Sequence, residues 1–338
     1  MNVLVCETDR IGDLVLTTPV IKSIKMDNNN NAVGVLVSDY TKELLKNSPY
    51  ISKTYSYSEE RTKLAREIKK DSYDIALILY PTFDIARFVW SCGIKKRIGL
   101  GFKWYQFLYT KSVIQHRSKI EKHQAEYNLD FLKEIGIKTI CRDLEMFPSK
   151  EDYDFADKFF ENNLLNNIRV IGVHPSSGNS SLNITPGQMA KIITDLSGKF
   201  KAKILLTGSG KDKKNVNETI SNLKPGFTVI PYNITLMQLA AVISKCCLFI
   251  SNSTGPLHIA AALKIPTISF YSPVFVHSSK RWGPFQGNNL VLTPDIECPS
   301  YWKCRGEKCR FYNCMDFSRD FGAVMKKITD FTETIIKR

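Results

Sequence analysis

The chain has 338 residues, enough for about two domains, and its 43% hydrophobic content belongs to a globular protein rather than a disordered one. No stretch approaches the ~20 apolar residues of a membrane span. Glu7, Asp9 and Arg10 interrupt the first apolar run too early for a signal peptide, so a cytoplasmic protein is expected. Its nine cysteines then read as thiols or metal ligands rather than disulfides. Lys and Arg number 47 against 33 Asp and Glu, a net charge of +14 that draws the chain to polyanions. Nucleic acid, an anionic membrane surface and a phosphorylated substrate are all open on charge alone.

In chain order, residues 3–6 read as a buried strand and 13–25 as a helix, with strands again at 33–37 and 74–79. Residues 28–31 are a polar turn, and 121–135 carry apolar residues at helical spacing. The charged, Asn-rich stretch 148–167 reads as a helical connection between domains. Alternation then restarts: strands at 170–173, 203–207, 247–250 and 267–271, helices at 186–196, 236–244 and 255–263. Two successive series of βαβ units predict an α/β protein of two Rossmann-like domains facing each other across a cleft. The division is placed at residues 1–160 and 161–317. The tail, 318–338, reads as an amphipathic helix with Phe321, Val324, Ile328, Phe331 and Ile335 on one face, able to pack back on the first domain.

Three segments can carry chemistry. Asp13 follows the first strand at the start of a helix, where a carboxylate either caps free N–H groups or faces a ligand at the strand ends. Ser176, Ser177 and Gly178 follow the strand at 170–173. Small hydroxyl residues around a glycine suit a phosphate cradle, and equally an ordinary loop. In the third, a buried strand ends in Ser251, Asn252, Ser253 and Thr254, and Gly255-Pro256 opens an alanine-rich helix. Proline is tolerated in a first turn, and the remaining N–H groups there suit a diphosphate. His258 lies in that turn as a donor to the ligand or as a buried, satisfied histidine.

The stretch TDRIGDLVLTTPVIKSIK at 8–25 resembles the opening of glycosyltransferase family 9, the heptosyltransferases of lipopolysaccharide core assembly. GVHPSSGNSS at 172–181 and FISNSTGPLHIAAALKIPTISFYSP at 249–273 resemble that family's donor-domain loop and donor-phosphate motif, in the same order and spacing. The resemblance implies a GT-B fold, with the acceptor on the N-terminal half and an ADP-heptose-like donor on the C-terminal half. It implies inversion at the anomeric carbon without a catalytic metal. Asp13 would be the general base, and Arg10 and Gly12 beside it the acceptor contacts. Ser176, Ser177, Gly178, Ser253, Thr254, Gly255 and His258 would hold the donor. Two positions depart from the family pattern: residues 182–185 lack its lysine, and Ser253 stands where an aspartate often binds the donor sugar. Both leave another nucleotide-sugar donor open.

Cys298, Cys304, Cys309 and Cys314 form a dense cluster: a candidate structural zinc or iron site, packed thiols, or disulfides. The run Lys95-Lys96-Arg97 and Lys103, Trp104, Tyr105, Lys111, His116, Arg117 and Lys119 make the first half basic and aromatic. A phosphorylated glycolipid acceptor at the anionic surface of the inner membrane suits this, as does a solvated charged face. The partners expected are therefore a nucleotide sugar, such an acceptor and that membrane surface. No aromatic stacking motif for RNA is present, so no specific nucleic acid is expected, and a non-catalytic nucleotide- or polyanion-binding protein is the rival from another class.

Overall fold

A computed structural model describes residues 1–57, 60–178, 181–223, 226–231, 233–317 and 320–337. The chain divides into two compact units, Met1–Phe147 and Pro148–Arg338. The first contains strands β1 (Asn2–Glu7), β2 (Ala32–Val37), β3 (Lys53–Ser56), β4 (Ile75–Ile78), β5 (Lys96–Leu100) and β6 (Lys111–Val113). They form one parallel sheet in the order β3-β2-β1-β4-β5-β6. The second contains β7 (Val170–His174), β8 (Lys203–Leu206), β9 (Phe227–Val229), β10 (Leu248–Asn252), β11 (Thr267–Phe270) and β12 (Asn289–Leu292). These too are all parallel, in the order β12-β11-β10-β7-β8-β9.

Both orders are the doubly wound pattern, in which two strands begun in opposite directions leave a crevice at their carboxyl ends. That switch point lies between β1 and β4 in the first unit and between β7 and β10 in the second. The central strands are apolar over most of their length because helices cover both sheet faces: Val3–Cys6 and Leu248–Ile250 are fully buried.

Three sequence expectations change. The helix expected at 13–25 is two helices, Ile11–Val15 and Thr18–Asp27. Pro19 has no N–H for the carbonyl of Val15, and the Thr18 hydroxyl donates to it instead at 2.8 Å. The stretch taken as the domain connection contains the helix Lys150–Asn162, opened by a capping box between Ser149 and Asp152. Its Ala156 and Phe160 are buried in a cluster with Ala241 and Val242, so it lies in the second unit and the boundary falls after Phe147 rather than at 160.

The tail helix spans Phe321–Ile336. It packs in the second unit. Val324 and Ile328 join the core formed by Ile192, Leu196 and Phe200, and Glu333 pairs with Lys199 at 2.6 Å. Among the described residues no helix is long and apolar enough to cross a membrane.

Candidate functional site

In the first unit the loop after β1 runs through Thr8, Asp9 and Arg10 into the short helix Ile11–Val15. Arg10 is the N-cap and makes no side-chain capping bond, while Asp13 lies in the first turn, half-buried. Buried Leu14 and Leu16 anchor the turn in the core. The Thr17 hydroxyl donates to the Asp13 carbonyl at 3.0 Å and accepts from buried Asn128 at 3.0 Å, so the backbone of Asp13 is fixed from behind. The preceding loop is held by Ser38, whose hydroxyl donates to the Asp9 carbonyl at 3.2 Å. Asp13 therefore stands on a rigid element beside the β1/β4 switch point, with Arg10 exposed and Gly12 half-buried next to it.

Glu7, the last residue of β1, is only 2% exposed. Burial pushes its carboxyl well above the ordinary range, and the charge of neighbouring Asp13 adds to the shift. Because the folded chain holds this proton more tightly than the unfolded chain, stability is lost as pH rises above the unfolded carboxylate value of about 4.3. Glu7→Gln should remove that loss. The difference in melting temperature, variant minus wild type, is expected to grow as pH is raised above about 4.3. A pH-independent difference in calorimetry would show that Glu7 ionises normally.

In the second unit the loop after β7 is tightly tied. Ser176 and Ser177 are buried. The Ser177 hydroxyl donates to the Ser181 carbonyl at 2.9 Å, and Ser176 Oγ accepts from Gly178 N–H at 3.2 Å and from Asn215 at 3.1 Å. Gly178 adopts φ +55°, a conformation open to glycine at little cost. Asn179 and Ser180 of this motif lie outside the described residues. Asn252 joins the neighbouring segments: its amide donates to the Pro175 carbonyl at 2.9 Å and its oxygen accepts from Ile184 N–H at 3.0 Å.

From the end of β10 the chain enters the helix Gly255–Ala262. Thr254 is its N-cap in an extended conformation, with no side-chain capping bond, and Pro256 occupies the first turn. Residues from Pro256 to Ala262 are buried, His258 among them, whereas Ser253, Thr254 and Gly255 are half-exposed. The N-terminal edge of a buried helix thus meets solvent beside the β7/β10 switch point. Its dipole favours an anion there.

Sequence reasoning missed two groups. Asp212 lies under the β7 loop, accepting from Ser209 N–H at 2.8 Å and Ser209 Oγ at 2.6 Å. Burial opposes its ionisation, but the Ser209 and Ser176 hydrogen bonds outweigh that and hold it below the ordinary range. Its oxygen stands 3.9 Å from His174 Nε2, while burial pushes His174 down to about 4, so this histidine is neutral at pH 7. The second group lines a cavity of about 560 Å³ between the helices Arg61–Lys70 and Phe83–Ser91 of the first unit. Arg61, Arg66, Lys69 and Arg87 line it with a single carboxylate, Asp84. The basic residues of the first helix and Arg87 on the second were visible in the sequence, but not that the two helices pair.

Cys298, Cys304, Cys309 and Cys314 are all free thiols and line one cavity of about 180 Å³. Cys304 Sγ accepts from Gly306 N–H at 3.4 Å. Among the described residues, no three His, Cys, Asp or Glu side chains are placed to hold a metal ion.

Two doubly wound parallel sheets, each with polar loops at its switch point, are the components of the GT-B fold. The family model described as glycosyltransferase family 9 (heptosyltransferase) matches residues 61–314. A candidate glycosyltransferase of Haemophilus influenzae is 30% identical over 300 residues, covering 84% of this chain and 86% of that protein. Lipooligosaccharide heptosyltransferase 2 of Campylobacter jejuni is 25% identical over 317 residues, covering 90% and 91%. The solved structure of the ADP-heptose lipopolysaccharide heptosyltransferase II of Escherichia coli superposes with a TM-score of 0.80 at 19% identity, covering 98% of each chain. The chain belongs to glycosyltransferase family 9, the heptosyltransferases, and is a glycosyltransferase.

Proposed function

We propose that the protein transfers heptose from an ADP-heptose donor to a phosphorylated glycolipid of the lipopolysaccharide core, with inversion and without a catalytic metal. The observation that carries this reading is the coincidence of each motif with a switch point: Asp13 after β1, and Ser253, Thr254 and Gly255 after β10. Asp13 accepts the proton of an acceptor hydroxyl as its oxygen bonds to the anomeric carbon. The bond from that carbon to the donor diphosphate breaks, and its electron pair leaves with the phosphate oxygen. N–H groups opening the helix Gly255–Ala262 receive the charge, a role that would otherwise call for a cation. Arg10 and Gly12 contact the acceptor. Ser176, Ser177, Gly178 and His258 complete the donor site; the two serines act there chiefly by shaping the loop, since their hydroxyls are engaged within it.

The cation-lined groove between the first unit's two helices supports an acceptor bearing phosphate. The reading places the enzyme in the cytoplasm, at the inner face of the inner membrane. Ser253, in place of an acidic residue, favours a second reading in which the donor is a different nucleotide sugar. Thermal stabilisation by a panel of ADP-, UDP-, GDP- and CMP-sugars decides. A donor at about 100 times its Kd raises apparent stability by about 2.7 kcal/mol, a shift of several degrees. ADP-heptose is expected to give it. Stabilisation by another nucleotide sugar alone selects the second reading, and by none of them removes the donor site.

A further inference from the structure

The loop that joins β5 to β6 divides its aromatic residues between two directions. Tyr105, Leu108 and Tyr109 are buried in the core of the first unit. Tyr109 lies over Gly99, where even a Cβ would collide with its ring, and the Tyr105 hydroxyl donates to the Pro81 carbonyl. Arg97 Nε donates to the Leu108 carbonyl at 2.8 Å and Arg97 N–H to Thr110 Oγ1 at 2.8 Å. On this anchored base the alternate residues point outward: Phe102 is 66% exposed, Trp104 72% and Phe107 70%. Trp104 stacks on Phe83 at 4.8 Å and Phe102 on His116 at 5.4 Å, so these rings are held in place in the absence of a partner. Exposed Ile114 extends the patch.

Exposed rings on a fixed loop need an occupant, and the charge around them selects it. Between Asp84 and Glu121 the sequence contains no carboxylate, while Arg87, Lys95, Lys96, Arg97, Lys103, Lys111, Arg117 and Lys119 supply eight cations. Lys111 pairs with Glu134, Lys96 donates to the Glu134 carbonyl, Arg97 is engaged with backbone carbonyls and Arg117 lies over Tyr127 and Phe131, which leaves Arg87, Lys95, Lys103 and Lys119 as the cations not held in this way. Aromatic side chains that settle at the headgroup level, ringed by lysine and arginine, are the recognition chemistry of an anionic bilayer surface.

We infer that residues 101–119 are the membrane-docking element, with Phe102, Trp104 and Phe107 entering the interface of an anionic bilayer and the surrounding cations meeting its phosphates. The inference deepens the proposed reading, because a lipid-anchored acceptor is met at that surface. It supplies the element that does the meeting.

Sedimentation with vesicles tests it, using phosphatidylcholine alone and phosphatidylcholine with about one third phosphatidylglycerol. The full chain is expected to sediment with the anionic vesicles only, and to be released at about 1 M salt, where the Debye length is about 3 Å. Trp104→Ala with Phe107→Ala leaves the charge unchanged and should weaken vesicle binding at least about tenfold, with an unchanged melting temperature. Should that variant fold poorly, Lys103→Glu with Lys119→Glu should abolish binding to the same vesicles. The blue shift of tryptophan emission on vesicle addition should shrink in Trp104→Phe. Equal binding to neutral vesicles, no binding to anionic ones, or wild-type binding by the folded aromatic variant overturns the inference. Transfer to a water-soluble acceptor fragment, followed in parallel, reports on the reaction separately: its absence in the wild-type enzyme refutes the proposed function whatever the vesicles show.

Discussion

Asp13→Asn is expected to lower turnover by about 10²–10⁴-fold, the usual worth of a general base to a weak hydroxyl nucleophile. The substitution preserves size and leaves the surrounding packing intact. Thr17 bonds the Asp13 carbonyl, not its side chain, and the N-cap position belongs to Arg10. As a structural element, Asp13 places a negative charge in the first turn of a five-residue helix. Such a charge contributes about 0.3–1 kcal/mol. The two roles make opposite demands on one variant. A base predicts a large fall in kcat with the melting temperature and donor affinity almost unchanged. A structural charge predicts a small fall in melting temperature and near-normal kcat. Steady-state kinetics and calorimetry on the same preparation separate them, and near-normal turnover would take Asp13 out of the mechanism.

Gly255→Val is expected to weaken nucleotide-sugar binding by about 10²-fold, equivalent to about 2.8 kcal/mol, while the protein folds normally. The residue is half-exposed at the first position of the helix Gly255–Ala262, whose remaining residues are buried. A branched side chain there projects at the edge where phosphate oxygens must approach the backbone donors. Folding should tolerate the change, because valine is less costly than glycine in a helix. Titration calorimetry with the donor is the direct measurement. Unchanged affinity would place the diphosphate elsewhere, and would leave Thr254 and His258 without the role given to them.

Much of the candidate site was legible because its signals are local. The strand-to-helix passages at Asp13 and at Thr254–Gly255 each combine an apolar run, a small or polar break and an amphipathic or alanine-rich restart. Those contrasts need no knowledge of the partner strands. The same holds for the alternation that identified two α/β series, and for the family resemblance carried by three contiguous motifs. Short edge strands were less legible. β3 (Lys53–Ser56) and β9 (Phe227–Val229) are only partly buried and carry no continuous apolar run, β12 (Asn289–Leu292) carries one of only three residues, and pairing with β2, β8 and β11 makes them strands.

By itself, then, the sequence determined the class of fold, the family and the two loops on which the chemistry is proposed to rest, since each is written in neighbouring residues. Tertiary structure alone decided that the tail helix packs in the second unit. An amphipathic stripe states that a partner is needed, and only the Lys199–Glu333 pair and the core around Phe200 say which. It also decided that burial raises the Glu7 carboxyl well above its ordinary range, that Asp212 lies under the β7 loop near His174, and that Phe102, Trp104 and Phe107 face outward while Tyr105 and Tyr109 face in. Each of these depends on burial, and burial is set by residues distant in the chain, which no local pattern encodes.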